Sequence, residues 1–400
     1  MVPEEWRLIA LENISETAAP IRYGVVQIGE NIVDGIPIVP IKYINSIATS
    51  RLHRASKGIE QKYANSRVQG GDVLISVKGT IGAVGIVPNG FLGNIAREIA
   101  RIRPSKEYDS TYIALQLLAE KTQREIDNLT VGTTRREFSI HTLRKFAIPV
   151  PPLPEQKKIA KILSTWDKAI TATEQLLANS HQQKKALMQQ LLTGKKRLLD
   201  NNGLRFSGRW SDIRLKTVLR EEKSRNKSNS IERVLSVTNH SGFVLPEDQF
   251  SKRVASDDVS NYKVVKRGQY GYNPSRLNVG SFARLDSYEA GLLSPMYVVF
   301  SVNEKLLSSD YFMNWMSSNE AMQRISGSTQ GSVRDSVGFD ALCGFPFRLP
   351  PMDEQQKIAA VLSVADQEIT TLQQKLHALK LEKKALMQQL LTGKRRVSLN

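Results

Sequence analysis

Cysteine is nearly absent from this sequence. Cys343 is the only one among 400 residues, so an intrachain disulfide, a cysteine-based zinc site and an iron–sulfur cluster are all excluded. The five histidines are scattered and show no metal-ligand spacing. They are His53, His141, His181, His240 and His377. The sequence therefore predicts no metal and no cofactor held by this chain.

Long apolar runs are also missing. No stretch approaches the ~18 apolar residues that a membrane span requires. The N-terminal sequence MVPEEW has neither the basic nor the apolar region of a signal peptide. We therefore expect a cytoplasmic protein that does not bind a membrane.

Acidic residues are scarce relative to basic ones. Lys and Arg number 56 against 39 Asp and Glu, which gives a net charge of +17 and a pI near 9.8. This excess indicates a polyanionic partner, with nucleic acid as the leading candidate. Solubility or an acidic protein partner is the alternative explanation. The hydrophobic fraction of 40% is that of an ordinary globular protein, and 400 residues allow two or three domains.

Familiar catalytic motifs are missing too. The glycine-rich segment 78–85 follows a predicted strand, but another strand follows it instead of a helix, which argues against a nucleotide-binding loop. Residues 192–196 contain a Gly-Lys pair without the rest of a Walker loop. Asp353 and Glu354 lie at a predicted helix start, where capping accounts for them. The sequence thus favours a binding protein over an enzyme.

What the sequence does contain is an internal duplication. Residues 150–198 and 349–397 are identical at 27 of 49 positions at a constant offset of 199, and the block KKALMQQLLTGK recurs unchanged. Weaker upstream matches pair Trp6 with Trp210, Tyr112 with Tyr311 and Leu143 with Leu342. Each half therefore combines a divergent segment of about 150 residues with a nearly invariant one.

Each repeated segment is predicted to form one long helix. In the second copy, apolar residues recur every three or four positions over 358–379. Asp353 is the predicted N-cap, with Gln356 completing a capping box, and Gly393 is the predicted left-handed C-cap. About 40 residues give a rod of ~60 Å, which must bury its apolar stripe against its repeat. We expect the two rods to pack antiparallel.

The predicted fold class is α+β: two α/β modules in a pseudo-twofold arrangement, separated by two long antiparallel α-helices that form a coiled-coil spacer. The modules are predicted at 1–149 and 210–348, the helical segments at 150–198 and 349–400, and a linker at 199–209. Strands are predicted at 73–77, 99–102 and 297–300, and helices at 110–129 and 309–325. A pure spacer is one interpretation of the long helices. The identity of their ALMQQLL blocks exceeds what packing requires, which favours a surface that docks one partner twice.

The sequence resembles, over its whole length, the specificity (S) subunits of type I restriction–modification systems. The most specific residues are the Pro-Pro-x-x-Glu-Gln openings at 151–156 and 350–355 and the helix ends Leu-Leu-Thr-Gly-Lys. Segment 71–87 (GDVLISVKGTIGAVGIV) and segment 272–300 are also similar to family members. The resemblance implies that the two modules are target recognition domains, each reading one half of an asymmetric, bipartite sequence in double-stranded DNA of a bacterium or archaeon.

The resemblance also implies partners. Two methyltransferase (M) subunits, which bind S-adenosylmethionine and methylate adenine at N6, would dock on the conserved helices. Two restriction (R) subunits, which use ATP and Mg, would complete the restriction enzyme. The S subunit itself would be non-catalytic. The helices would fix the gap between the two half-sites. We expect the half-sites to be spaced by about one turn of the DNA helix, ~34 Å.

Candidate DNA-binding residues are polar or basic side chains at predicted loops, because Arg pairs with guanine and Asn or Gln with adenine. In the first module they are Ser76, Lys78, Thr80, Arg135 and Arg136; in the second, Asn273, Ser275, Arg276, Asn278, Gln330, Ser332 and Arg334. A turn glycine with solvated neighbours is the alternative for each position.

Candidate M-binding residues lie in the repeated block, where some leucines are also expected in the helical core. They are Lys185, Leu187, Met188, Leu191 and Leu192, with Lys384, Leu386, Met387, Leu390 and Leu391. Two other functions remain open from the sequence: a stand-alone basic coiled-coil DNA-binding protein, architectural or regulatory, and a protein-only scaffold.

Overall fold

A computed structural model describes residues 3–132, 136–249, 258–329 and 336–398. The chain divides into two compact units, one made of Met1–Glu174 with Gln374–Asn400 and the other of Gln175–Gln373. Each unit thus contains one divergent module, the first half of the helix that follows it, and the last half of the other long helix. No helix is long and apolar enough to cross a membrane in the part of the chain described.

Unit 1 is a mixed α/β module. Its strands are β1 (Arg7–Ala10), β2 (Arg22–Tyr23), β3 (Ile36–Val39), β4 (His53–Ala55), β5 (Val73–Ser76), β6 (Val84–Ile86), β7 (Asn94–Ile95), β8 (Ile99–Ile102) and β9 (Ala147–Val150). Its helices are α1 (Leu11–Ile14), α2 (Lys57–Gln61), α3 (Ser110–Leu118), α4 (Glu120–Asn128) and α5 (Ile140–Lys145). The strands form a sheet in the order β2-β8-β5-β6, a smaller sheet β4-β3-β7, and a ribbon β1-β9.

Unit 2 repeats this plan. Its strands are β10 (Ser211–Arg214), β11 (Leu219–Glu221), β12 (Ser236–Thr238), β13 (Gly242–Val244), β14 (Lys263–Lys266), β15 (Tyr270–Tyr272), β16 (Phe282–Arg284), β17 (Ala290–Leu293), β18 (Val298–Val302) and β19 (Pro346–Leu349). Its helices are α7 (Pro246–Gln249), α8 (Ser309–Met316), α9 (Asn319–Thr329) and α10 (Phe339–Cys343). The four-stranded sheet β11-β18-β15-β16 and the ribbon β10-β19 correspond to β2-β8-β5-β6 and β1-β9. The expected α+β class with two repeated modules is confirmed.

The long helices are α6 (Leu153–Leu191) and α11 (Met352–Leu390), each of 39 residues. In unit 1 the ion pair Lys380–Glu174 joins their segments at 2.7 Å, and Lys383–Asp167 lies further along in the opposite sense. In unit 2 the contacts Ser180–Glu368 and Lys184–Asp366 show the same reversal. The helix segments within each unit therefore run antiparallel.

The apolar stripe of α11 is buried as its spacing predicts. Ile358, Leu362 and Ile369 are buried, and the other stripe positions are half-buried. The left-handed C-cap is also confirmed, since Gly194 and Gly393 both have φ of 71°. The N-cap prediction is wrong: α11 begins at Met352, so Asp353 lies in its first turn.

The predicted strands are confirmed at β5, β8 and β18, but the predicted helices at 110–129 and 309–325 are each broken. In unit 1 the break falls at Ala119, whose backbone is extended. The side-chain amide of Gln123 donates to the Leu117 carbonyl at 2.6 Å across this break. In unit 2 the Ser318 hydroxyl accepts from the Ala321 N–H and opens α9. A polar side chain replaces the lost helical bonds in each case, so the break carries little energetic cost.

Candidate nucleic-acid interface

A buried carboxylate joins three distant segments in unit 1. Glu155, 1% exposed, accepts from the Trp6 indole N–H at 3.2 Å and from the Arg396 guanidinium at 2.7 and 2.9 Å. These residues come from the start of the first module, the start of α6 and the chain beyond the end of α11. A charged group so buried is stable only when it is paired and hydrogen-bonded.

Unit 2 contains the same cluster built from the repeat. Glu354, 0% exposed, accepts from the Trp210 indole at 2.9 Å and from the Arg197 guanidinium. This Trp–Glu–Arg cluster was not predicted from the sequence, in which capping was the interpretation of Glu354. A signal was present, because the arginine recurs at the 199-residue offset just beyond each Gly-Lys, and a tryptophan opens each module.

The glutamine of each Pro-Pro-x-x-Glu-Gln opening is a buried clamp. Gln355 accepts from the Ser308 N–H at 2.8 Å and donates to the carbonyls of Leu306 and Pro350. Gln156 makes the equivalent contacts, accepting from the Asp109 N–H at 2.9 Å. The repeated openings therefore fix each long helix to its own module.

The leucines of the repeated blocks are packed into module cores. Leu191 and Leu192 are buried in the core of unit 2, together with Trp210. Leu390 and Leu391 are buried in the core of unit 1, where Gln116 donates to the Leu391 carbonyl at 2.7 Å. Leu187, Met188, Leu386 and Met387 are half-buried against the same two cores, whereas Lys185 and Lys384 are exposed. Much of the identity of these blocks thus serves packing on a module.

A groove lies beside the repeated block in each unit, at equivalent positions. In unit 1 a groove of about 330 Å³ runs between α11 and the α3–α4 break, and in unit 2 one of about 600 Å³ runs between α6 and the α8–α9 break. Both are lined by two lysines, a methionine, a glutamine and a threonine of the repeat: Lys383, Lys384, Met387, Gln388 and Thr392 in unit 1, and Lys184, Lys185, Met188, Gln189 and Thr193 in unit 2.

The opposite wall of each groove differs. In unit 1 it contains Glu120, which pairs with Lys384 at 3.3 Å. The hydrogen bond from Lys384 holds the pKa of the Glu120 carboxyl below its ordinary value. In unit 2 the corresponding residue is Asn319, followed by Glu320. The two grooves thus share one wall and vary in the other.

The first candidate DNA-binding loop lies between β5 and β6. Ser76 is fully buried, and its hydroxyl donates to the Thr80 carbonyl and accepts from the Ala83 N–H at 2.8 Å, so it fastens the loop. Lys78 lies 4.4 Å from the Tyr23 ring centre and 3.2 Å from Glu137. Thr80 is exposed at the turn.

The second candidate loop follows β15. The Asn273 side chain accepts from the Ser275 N–H at 3.0 Å and caps the 3₁₀ helix Pro274–Val279. Ser275, Arg276 and Asn278 are exposed on that helix. This loop therefore presents three polar side chains to solvent on a short, hydrogen-bonded frame.

The late candidate loops adjoin these early loops. The Phe138 N–H donates to the Val77 carbonyl at 2.9 Å in unit 1, and the Val337 N–H donates to the Pro274 carbonyl at 3.0 Å in unit 2. Arg136 is exposed and pairs with Asp127. Four other candidates lie outside the described residues: Arg135, Gln330, Ser332 and Arg334. In each unit the backbone thus brings the early candidate loop next to the end of the late candidate segment.

Electrostatics tie the unit 1 loops together. The Tyr23 hydroxyl donates to Glu137 at 2.5 Å. Burial of the hydroxyl, and to a smaller extent this hydrogen bond, raises the pKa of Tyr23 to about 12. The same bond and the Lys78 ammonium hold the pKa of Glu137 below its ordinary value. Among the residues described, no group of three or more His, Cys, Asp or Glu side chains is placed to hold a metal ion.

The sequence is similar to those of known proteins in both halves of the chain. Residues 23–179 and 276–381, together more than half of the chain, match the family described as type I restriction modification DNA specificity domain. The specificity subunit of the type I restriction enzyme EcoBI of Escherichia coli is 32% identical over 164 residues, which cover 40% of this chain and 35% of that protein. The putative type I restriction enzyme MjaX specificity subunit of Methanocaldococcus jannaschii is 25% identical to this chain, in an alignment that covers 99% of this chain and 95% of that protein.

Solved structures share the fold. The HsdS subunit of Thermoanaerobacter tengcongensis superposes with a TM-score of 0.52 at 16% identity, covering 98% of both chains. The type I restriction–modification S subunit of M. genitalium gives a TM-score of 0.57 at 13% identity, covering 97% of this chain and 96% of its own.

Proposed function

The chain belongs to the type I restriction–modification DNA specificity family, and from this premise we propose that it selects the DNA target of a type I methyltransferase and restriction complex. Each module would read one half of a bipartite, asymmetric DNA sequence. The observation that carries this proposal is a repeated frame holding two different modules: the Trp–Glu–Arg clusters and four-stranded sheets recur, while the exposed loop residues differ. Two different surfaces on one frame suit two different half-sites.

The role of the chain would be binding alone. Adenine N6 methylation would take place on M subunits with S-adenosylmethionine, and ATP- and Mg-dependent restriction on R subunits. The positive charge of +17 would supply phosphate contacts, while the exposed Arg276, Asn278 and Thr80 would read base edges.

The two equivalent grooves would each dock one M subunit. Their shared wall comes from the repeated block, so one partner surface would fit both, and the exposed Lys185 and Lys384 offer a charged rim. We expect Lys185→Glu and Lys384→Glu each to weaken the binding of one M subunit at least about tenfold, and the double variant to bind none.

The matched controls are Lys168→Glu and Lys375→Glu, which make the same charge change at exposed positions of the long helices outside both grooves. The mass of the purified complex by light scattering counts the bound M subunits. An unchanged 1:2 complex in the double variant would place the docking surface elsewhere.

The target itself is tested by mapping N6-methyladenine in a host without such systems, in cells that express this chain with a candidate methyltransferase (M) subunit from the same organism. One split, asymmetric motif that appears only with this chain is expected. Replacing residues 1–149 with the module of another family member should change one half of that motif only. A soluble complex that leaves no motif would favour a stand-alone architectural DNA-binding protein instead.

A further inference from the structure

A cavity of about 520 Å³ in unit 1 concentrates positive charge. It lies where β2 and β8 meet the segments 64–69 and 92–93, and four arginines line it: Arg22, Arg67, Arg101 and Arg103. The remaining walls are formed by small or apolar residues with two amides, Asn65 and Gln69. No residue assigned above to DNA or M-subunit binding belongs to this lining.

Arg101 is the most unusual of these arginines, because only 2% of it is exposed and it forms no ion pair with a carboxylate of the described residues. Its two terminal nitrogens donate to the carbonyls of Arg67 and Pro20 at 2.8 and 3.0 Å. Its Nε finds no acceptor within the described ranges. Burial, and then the nearby Arg103, lower the pKa of Arg101. A guanidinium held this way is costly unless an anion compensates it.

The neighbouring acids are already engaged. Glu60 pairs with Arg67 through both oxygens at 2.8 and 2.7 Å, and both oxygens of Asp72 lie 2.7 Å from Arg103 nitrogens. Glu16 interacts with Arg101 and Arg103 through space without an ion pair. Arg22 is exposed at the cavity and makes no ion pair with any residue described. Two positive charges, Arg22 and Arg101, are therefore left for a ligand.

We propose that this cavity binds a phosphate group, with Arg22 and Arg101 as its cationic partners. The guanidinium fork of the exposed Arg22 matches two oxygens of phosphate, and Arg101 adds a buried positive charge beside it. A dianion would neutralise both charges. The volume exceeds that of a bare phosphate, so the apolar walls leave room for the organic part of an ester. The site stands on its own observations and does not depend on the proposed function.

The position of the cavity separates it from the candidate base-reading loop. β5 pairs antiparallel with β8, with Ser76 opposite Ile99 and Val73 opposite Ile102. Arg101 and Arg103 therefore lie beside the start of β5, whereas the glycine-rich loop follows its end. The phosphate would belong either to the backbone of bound DNA or to a free ester.

Unit 2 provides a matched control. In unit 2 the corresponding strand pair is β11–β18. Tyr270 faces Phe300 there as Val73 faces Ile102 in unit 1, so the residue equivalent to Arg101 is Val299. Val299 is buried and apolar, so this position carries no positive charge in unit 2. Arg22→Gln and Arg220→Gln make the same change at exposed positions of the corresponding strands β2 and β11, and only Arg22 lines the cavity.

The test is calorimetric titration of inorganic phosphate into the full chain in chloride buffer. We expect one site in the unaltered chain and in Arg220→Gln, and binding at least about tenfold weaker in Arg22→Gln. No binding to the unaltered chain, or equal losses in both variants, would overturn the site.

A second measurement separates the two sources of phosphate. Binding of a 30-base-pair duplex of arbitrary sequence is followed by anisotropy over a salt series. If DNA supplies the phosphate, Arg22→Gln lowers the slope of log affinity against log salt by about 1, and inorganic phosphate competes. If duplex binding is unchanged while phosphate binding falls, a free ester is the ligand. A chain that binds no duplex at all would count against the proposed function, while the titration would still decide this site.

Discussion

The two units share a frame and differ in what fills it. In both, a buried glutamate ties a tryptophan to an arginine, a two-stranded ribbon closes the module, and the four-stranded sheet has the same strand order. The sheet of unit 1 is covered mainly by aliphatic side chains, whereas that of unit 2 contains a stack of aromatic rings, with Tyr270 and Phe300 5.1 Å apart.

The register of the sheets makes this difference specific. Val73 pairs with Ile102 in unit 1 at the place where Tyr270 pairs with Phe300 in unit 2, and the residue before this one is Arg101 in β8 and Val299 in β18. Repacking of this size is tolerated when total volume and pattern are kept. The residues of the hydrogen-bonded frame are therefore the same in both units, whereas the residues of the sheet differ. A module can change its sheet and its loops while the frame stays constant.

The largest loss of stability is expected from Phe300→Ala, at the position where unit 1 has Ile102. Phe300 is fully buried among rings, so the loss leaves a cavity and should cost about 3–5 kcal/mol of the free energy of unfolding. Urea unfolding measures the total loss in the free energy of unfolding, and hydrogen exchange should locate that loss in β15 and β18. Phe91→Ala, at a half-buried edge of unit 1, is the control. Equal exchange increases in both units would contradict independent cores.

A smaller and graded effect is expected at the two glutamates of the frame. Glu354→Gln leaves Arg197 without its anion and should cost about 3 kcal/mol. Glu155→Gln should cost less, because the Arg396 side chain is 40% exposed against 21% for Arg197, and water compensates it better. Thermal unfolding of the two variants gives the order. A larger loss at Glu155 would show that the frames are not equivalent.

The smallest expected effect is that acid destabilises the β4-β3-β7 sheet of unit 1 more than the β14–β17 ribbon of unit 2. The Arg67 hydrogen bond holds the pKa of Glu60 below its ordinary value, and Glu60 is also bonded to Asn94. Because the folded-state pKa is lowered, this stabilisation is complete above the ordinary pKa and is lost as pH falls through the lowered one. Hydrogen exchange in β4 and β7, corrected for intrinsic rates, should rise as pH falls below ~4.5.

The β14–β17 ribbon of unit 2 is the internal reference for that experiment, and Glu60→Gln should remove the added pH dependence. Exchange that rises equally in the reference ribbon would point to general acid unfolding instead.

Much of the helical framework could be predicted from local sequence. The proline pair, the apolar stripe and the glycine C-cap fixed α11 to within a residue or two, because each acts on its immediate neighbours. The breaks at Ala119 and Ser318 could not be predicted, since no proline or glycine marks them and the side chain of Gln123 closes one of them. The N-cap assigned to Asp353 failed because the helix starts one residue earlier.

The candidate DNA-binding and M-binding residues stay predictions. Local pattern placed Lys78 and Thr80 in a turn, but it did not predict the 3₁₀ helix Pro274–Val279. It also could not show that Ser76 is buried and bonded within its own loop. Nor could it show that Leu391 packs on the first module, where its carbonyl accepts from Gln116, 275 residues upstream.

The sequence by itself determined the duplication, the two long helices and the excess of positive charge, because repetition, periodicity and composition are properties of the chain alone. Tertiary structure alone decided that each Glu-Gln opening anchors a tryptophan and an arginine, and that the end of each long helix completes the unit holding the other copy's module. It also decided that Arg101 is buried with no ion pair to a carboxylate in the described part of the chain. Burial and hydrogen-bond partners so far apart in the chain leave no local pattern, because they arise only when the fold brings those segments together.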